Sequence, residues 1–171
     1  MDKSTRKAFH RALGAAAVSA ILLSSQAVSA VDAYIPFDGP KTRWHGGFDR
    51  YDFTMDDATG AITPMTAPAS EVANFNIDTT LRAGKRRCVV VVPKDAAPGN
   101  PWSWQGCYWN HEPQTEVELL MRGFHIAFAA PDADAQGKAW DTWYRFLTEK
   151  HGLAKKAAFV GMSKGGVNAF N

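Results

Sequence analysis

Ala157-Ala158-Phe159-Val160-Gly161-Met162-Ser163-Lys164-Gly165-Gly166 is the stretch on which the fold turns. Its apolar start, residues 157–160, reads as a short strand, and Val167-Asn168-Ala169-Phe170 reads as the start of a helix. Between them lies glycine-x-serine-x-glycine. A chain that passes from strand to helix in so few residues holds its serine in a strained conformation and draws neighbouring segments close. Small residues are therefore wanted two before and two after it. Gly166 adds one more position without a side chain. The pattern matches a nucleophile elbow, with Gly161, Gly165 and Gly166 around Ser163. The competing reading is a glycine-rich turn that performs no chemistry or binds phosphate at a helix N-terminus. The apolar run before the pentad and the helix start after it favour Ser163 as a catalytic nucleophile.

Upstream, Cys88-Val89-Val90-Val91-Val92, closed by Pro93, predicts a strand buried on both faces. Residues 94–112 form a long loop with Trp102, Trp104 and Trp109. Gln114–Arg122 predicts a helix with Val117, Leu120 and Met121 on one side and Gly123 as its stop. Phe124–Ala130 predicts a strand ended by Pro131-Asp132. Ala139–Lys150 predicts a helix that buries Trp140, Trp143, Tyr144 and Leu147, ended by His151-Gly152. The alternation of strand and helix predicts the α/β class, with a mostly parallel sheet flanked by helices. Nearer the start, residues 31–43 read as an irregular lead and Trp44–Met55 as a half-buried strand or hairpin. Asp56–Gly60 reads as a turn, 61–70 as loop or edge, and Asn74–Leu81 as a further strand.

Residues 1–30 have the make-up of an export signal. Lys3, Arg6, Lys7 and Arg11 precede the apolar run Leu13–Leu23, and Val28-Ser29-Ala30 offers a cleavage site. Thr5-Arg6-Lys7-Ala8-Phe9 resembles a twin-arginine signal with lysine as the second basic residue. A periplasmic or secreted protein follows, with 31–171 as one partial domain and no membrane span in the mature chain. Four basic residues and one acid put +3 on the signal, so the remainder carries −1 of the formal +2. No basic stripe is left to suggest nucleic acid binding. Cys88 and Cys107 either pair in an oxidising compartment or remain buried thiols. No Cys/His cluster has metal-site spacing, so neither a metal nor a cofactor is expected.

Acyl transfer needs donors aimed at the developing oxyanion. One is expected from the backbone N–H of Lys164, the residue after the nucleophile. The other is expected from the tryptophan-rich loop, at Trp102, Ser103 or Trp104. His45-Gly46-Gly47 has the composition of an oxyanion string but precedes the first strands, which argues against that role. His111 lies in the loop near the expected site rim and is the histidine to test as a base. His125 begins a strand, and His151 ends a helix at the far end of the sheet from the elbow.

Pro101-Trp102-Ser103-Trp104 through His111-Glu112-Pro113-Gln114, then Arg122-Gly123-Phe124-His125, then Gly161–Gly166, resemble exported bacterial members of the α/β-hydrolase superfamily. The resemblance covers about residues 44–171. It implies the N-terminal portion of an α/β-hydrolase fold with Ser163 as nucleophile, but no particular substrate, since that superfamily serves many. A small-molecule ester or glycan-linked substrate is the expected partner. In that superfamily an acid and then a histidine follow the serine, whereas only eight residues follow Ser163 here. The expectation is a chain cut short after the elbow, with its C-terminal strands missing and the Ser163 strand at a sheet edge. A shortened gene, a complementing C-terminal chain and a true short protein are the three explanations. The leading function is ester hydrolysis through an acyl-enzyme. The alternative is a non-catalytic exported module whose six tryptophans stack on a glycan.

Overall fold

The computed structural model describes residues 33–67, 84–130 and 138–170. The export segment 1–30, the strand expected over 74–81, and Pro131, Asp132 and Asp134 lie outside the described residues. The aromatic alternation after Trp44 folds as a hairpin. Strands β1 (Lys41–Trp44) and β2 (Phe48–Asp56) pair antiparallel across His45–Gly47, where Gly46 and Gly47 take φ of 67° and 80°. Residues 62–65, expected as loop or edge, form β3 (Ile62–Met65) on the same edge of β2 as β1. The Asp56 carboxylate shapes the intervening turn by accepting the N–H groups of Ala58 and Thr59 at 3.1 and 2.8 Å.

The rest of the chain supplies β4 (Lys85–Val92), β5 (Trp102–Gln105), α1 (Gln114–Met121) and β6 (His125–Ala129). Then follow α2 (Lys138–Arg145), continued by a π-turn to Lys150, β7 (Ala157–Val160) and α3 (Lys164–Phe170). The strands make one sheet in the order β1-β2-β4-β6-β5-β7, with β3 beside β2.

This sheet corrects the expected mostly parallel arrangement and, with it, the reading as the N-terminal portion of an α/β-hydrolase fold. Only β6, β5 and β7 run parallel, whereas β1, β2, β3 and β4 pair antiparallel and β4 meets β6 antiparallel. Among the described residues there are three short α-helices, the longest spanning eight residues. The physical cause lies in the connections. Parallel neighbours need a crossover of a dozen or more residues, commonly a helix. α1 and α2 provide such crossovers between β5, β6 and β7. The helix-free link 93–101 instead turns the chain back after β4.

A second correction concerns the tryptophan-rich loop. Residues 102–105 are a fully buried strand at the heart of the parallel set, between β6 and β7.

The core has two sides. Cys88, Val90, Trp102, Trp104, Ala127 and Ala129 face one way, against Phe37 of the N-terminal lead, Phe53 and Met55 of β2, and Trp143 and Leu147. Val89, Val91, Ile126 and Phe128 face the other, against Trp44, Phe48, Trp109 and Leu120. The continuous valine run is explained by this two-sided cover, since each buried valine contributes about 2 kcal/mol from either face. Cys88 and Cys107 are both buried, and neither is joined in a disulfide. β7 closes the order, and its Phe159 stays 61% exposed.

Candidate active site

Ser163 is exposed at the junction of β7 and α3, with φ at 52°. That left-handed backbone is uncommon for a residue with a side chain and persists only where the surroundings impose it. Here they do. Gly165 N–H donates to Met162 O at 2.8 Å, and Gly166 N–H donates to Ser163 O at 3.0 Å. A Cβ at Gly161 would lie 2.5 Å from Gly165 O and 2.7 Å from Gly166 N, so only glycine fits. A Cβ at Gly165 would lie 3.1 Å from Cys107 N. Gly166 differs, because a Cβ there would meet Gly161 O at an ordinary 3.5 Å.

Sequence reading missed a third partner in this close packing. Gly106, which follows β5, donates its N–H to Val160 O at 3.0 Å, and a Cβ on it would come within 2.8 Å of Gly165 O. The available signal was a glycine ending an aromatic alternation, Trp102-Ser103-Trp104-Gln105-Gly106. The loop after β5 is thus locked backbone to backbone against the elbow. It is itself strained, with Tyr108, Asn110 and Glu112 at φ of 55°, 63° and 48°. Four of the five described non-glycine residues with positive φ therefore belong to this loop and the elbow. Such concentration is typical of functional sites.

The other sequence-derived candidates are placed as follows. Trp102, Ser103 and Trp104 lie within β5, paired to β6 and β7, with Trp102 and Trp104 turned into the core. Lys164 opens α3, so its backbone N–H is the first beyond Ser163. His111 is exposed, and its backbone N–H donates to Tyr108 O at 3.0 Å. It lines a cleft of about 190 Å³ together with Gln105, Cys107, Glu116, Gly161 and Met162. Ser163 Oγ has no hydrogen-bond partner among the described residues. His45 is hydrogen bonded through Nε2 to Asn110 Oδ1 at 2.7 Å, which ties the β1–β2 turn to the strained loop.

His125 and His151 are buried away from the elbow. His125 starts β6 and donates from Nδ1 to Pro101 O at 3.3 Å, and burial lowers its pKa to about 4. His151 stacks on Phe37 at 4.0 Å and donates from Nδ1 to Ile35 O at 2.8 Å, and burial lowers its pKa as well. Both serve the core. Glu116, in the first turn of α1, is 3% exposed, and desolvation raises its pKa. Burial likewise pushes the Cys88 thiol up, which leaves it a poor nucleophile.

No group of three or more metal-ligating side chains occurs among the described residues. No described helix is long and apolar enough to cross a membrane. Comparison with protein-family models, with curated proteins and with solved structures finds no match to this chain.

Proposed function

We propose that this protein is a serine hydrolase that cleaves carboxylic esters through an acyl-enzyme on Ser163. The observation that carries the proposal is the left-handed serine between β7 and α3, locked by glycine contacts at Gly161, Gly165 and Gly106. In this reading Ser163 Oγ attacks the ester carbonyl while its proton passes to a base. The alcohol leaves with a proton, and water then releases the acid. Lys164 N–H is one oxyanion donor, and the second is assigned to the loop just beyond β5 at Cys107, whose backbone N lies against Gly165, the Gly106 N–H being given to Val160 O. Of the described histidines, His111 is the one that lines the adjoining cleft, and it is the base to test first. The basic and apolar run of residues 1–30 supports action in the periplasm or outside the cell. The outer edge of β7, with Phe159 exposed, leaves room for a complementing polypeptide.

A glycan-stacking module is the weaker reading. Trp44, Trp102, Trp104, Trp109 and Trp143 are each no more than 6% exposed, which leaves little of them for a sugar ring, although Trp102, Trp104 and Trp143 do line a cavity of about 600 Å³ with Trp140 and Phe159. The direct test is labelling with a fluorophosphonate probe. Labelling of the wild-type chain that disappears in Ser163→Ala is the expected result, and equal labelling of both proteins overturns the assignment.

A further inference from the structure

The cleft beside the elbow has a chemical character that the nucleophile alone does not require. Its space of about 190 Å³ equals that of about six water molecules, enough for one small group and too little for a long chain. Its lining is rich in acceptors. Glu112 and Glu116 contribute carboxylates, Tyr108 and Thr115 hydroxyls, and Gln105 an amide. Among the described side chains no lysine or arginine lines it, and His111 is the one basic residue that does. One of these acceptors is buried without compensation, and a second is buried without a cationic partner. Glu116 is 3% exposed and makes no ion pair among the described residues, its carboxylate accepting only from its own backbone N–H. Gln105 is 5% exposed, and its Oε1 has no hydrogen-bond partner. Buried polar atoms left unpaired are costly, and their common explanation is a group that arrives to pair with them.

We propose that this cleft seats a small, neutral, hydroxyl-bearing part of the substrate, such as a polyol or single sugar unit, whose O–H groups donate to Glu116 and Gln105. The proposal rests on the reading of Ser163 as the reactive centre and adds the substrate class. An aliphatic chain would strip both acceptors of water and pair with neither. An anionic group would face the carboxylates of Glu112 and Glu116 with no lysine or arginine among the described lining residues to offset them. Charge and size therefore select the same class of ligand.

Met162 lines the cleft, so its methyl group reports occupancy without any need for turnover. The experiment uses Ser163→Ala protein labelled at the methionine methyls with carbon-13, titrated with methyl glucoside, methyl glucuronide and hexanol. The expected result is a saturable shift of the Met162 signal with methyl glucoside, weakened at least about tenfold in Glu116→Leu and retained in Glu116→Gln. Equal or larger shifts with methyl glucuronide or hexanol overturn the proposal, as does a methyl glucoside response indifferent to Glu116→Leu. Should Glu116→Leu fail to fold, Gln105→Met supplies the second lining variant, and an unweakened response there counts against the proposal. Binding without fluorophosphonate labelling would leave a sugar site and remove the hydrolase reading. Labelling without binding would do the reverse.

Discussion

At Ser163 the chain holds a side chain in backbone territory that glycine occupies freely. The left-handed conformation costs an ordinary residue roughly 1 kcal/mol. Ser163→Gly is therefore expected to stabilise the fold by about that amount over Ser163→Ala, while both variants lose fluorophosphonate labelling. Paired denaturant titrations check this, and a glycine variant no more stable than the alanine one would mean that the turn is unstrained. The serine was legible in the sequence because its steric needs are written beside it, as Gly161 and Gly165. Gly106 was not, because its neighbour Gly165 is remote in sequence and meets it only through the pairing of β5 with β7. Gly166 shows the opposite limit, a glycine inside the motif with space for a methyl group.

Among the elements, local pattern carried identity better than direction. The valine run of β4, the helix 114–121 and the short strand before the elbow follow from apolar content and spacing. β5 did not, since Trp102-Ser103-Trp104-Gln105 follows Pro101 and is only four residues long, and its aromatic alternation was the one sign of a strand. The antiparallel course of β4 was hidden too, because it depends on a short link rather than on the strand's own residues. The β2–β4 pair also contains a charge cluster that no motif announced. Asp52, 2% exposed, accepts from Arg50 Nη2 at 2.7 Å and Arg87 Nη2 at 2.8 Å, and Arg50 lies over the Trp109 ring. Removing one member of a buried ionic group strands the others. Asp52→Asn is expected to cost about 3 to 5 kcal/mol, read from the shift in chemical denaturation midpoint, and a loss below about 1 kcal/mol would show that the arginines are satisfied without it.

For the molecule as a whole, the histidines set an acid limit. The folded pKa of His125, about 4, lies below its ordinary value of 6.5 because burial disfavours the charged ring. Between those values the unfolded chain binds a proton that the folded one refuses. Stability is thus complete above pH 6.5 and falls as pH drops toward 4, by up to about 3 kcal/mol from this group. His151 shifts in the same direction and secures the lead, whose Ile35 N–H donates to His151 O at 3.1 Å. Denaturation midpoints at pH 7 and 4.5 should differ less in His125→Gln than in the wild type, and an unchanged difference would exclude this residue as the source. The same sheet also dictates a sequence of events in time. Some contacts that hold the turn at Ser163 are local, but those of Gly106 and Cys107 with Val160 and Gly165 link the loop after β5 to the turn after β7, so they exist only once these two parallel strands have paired. Pairings of that long range are the slow steps of folding. The Ser163 turn is therefore fully secured only among the last events of folding, and a brief parting of β5 from β7 would loosen it while the hairpin side of the sheet stays intact.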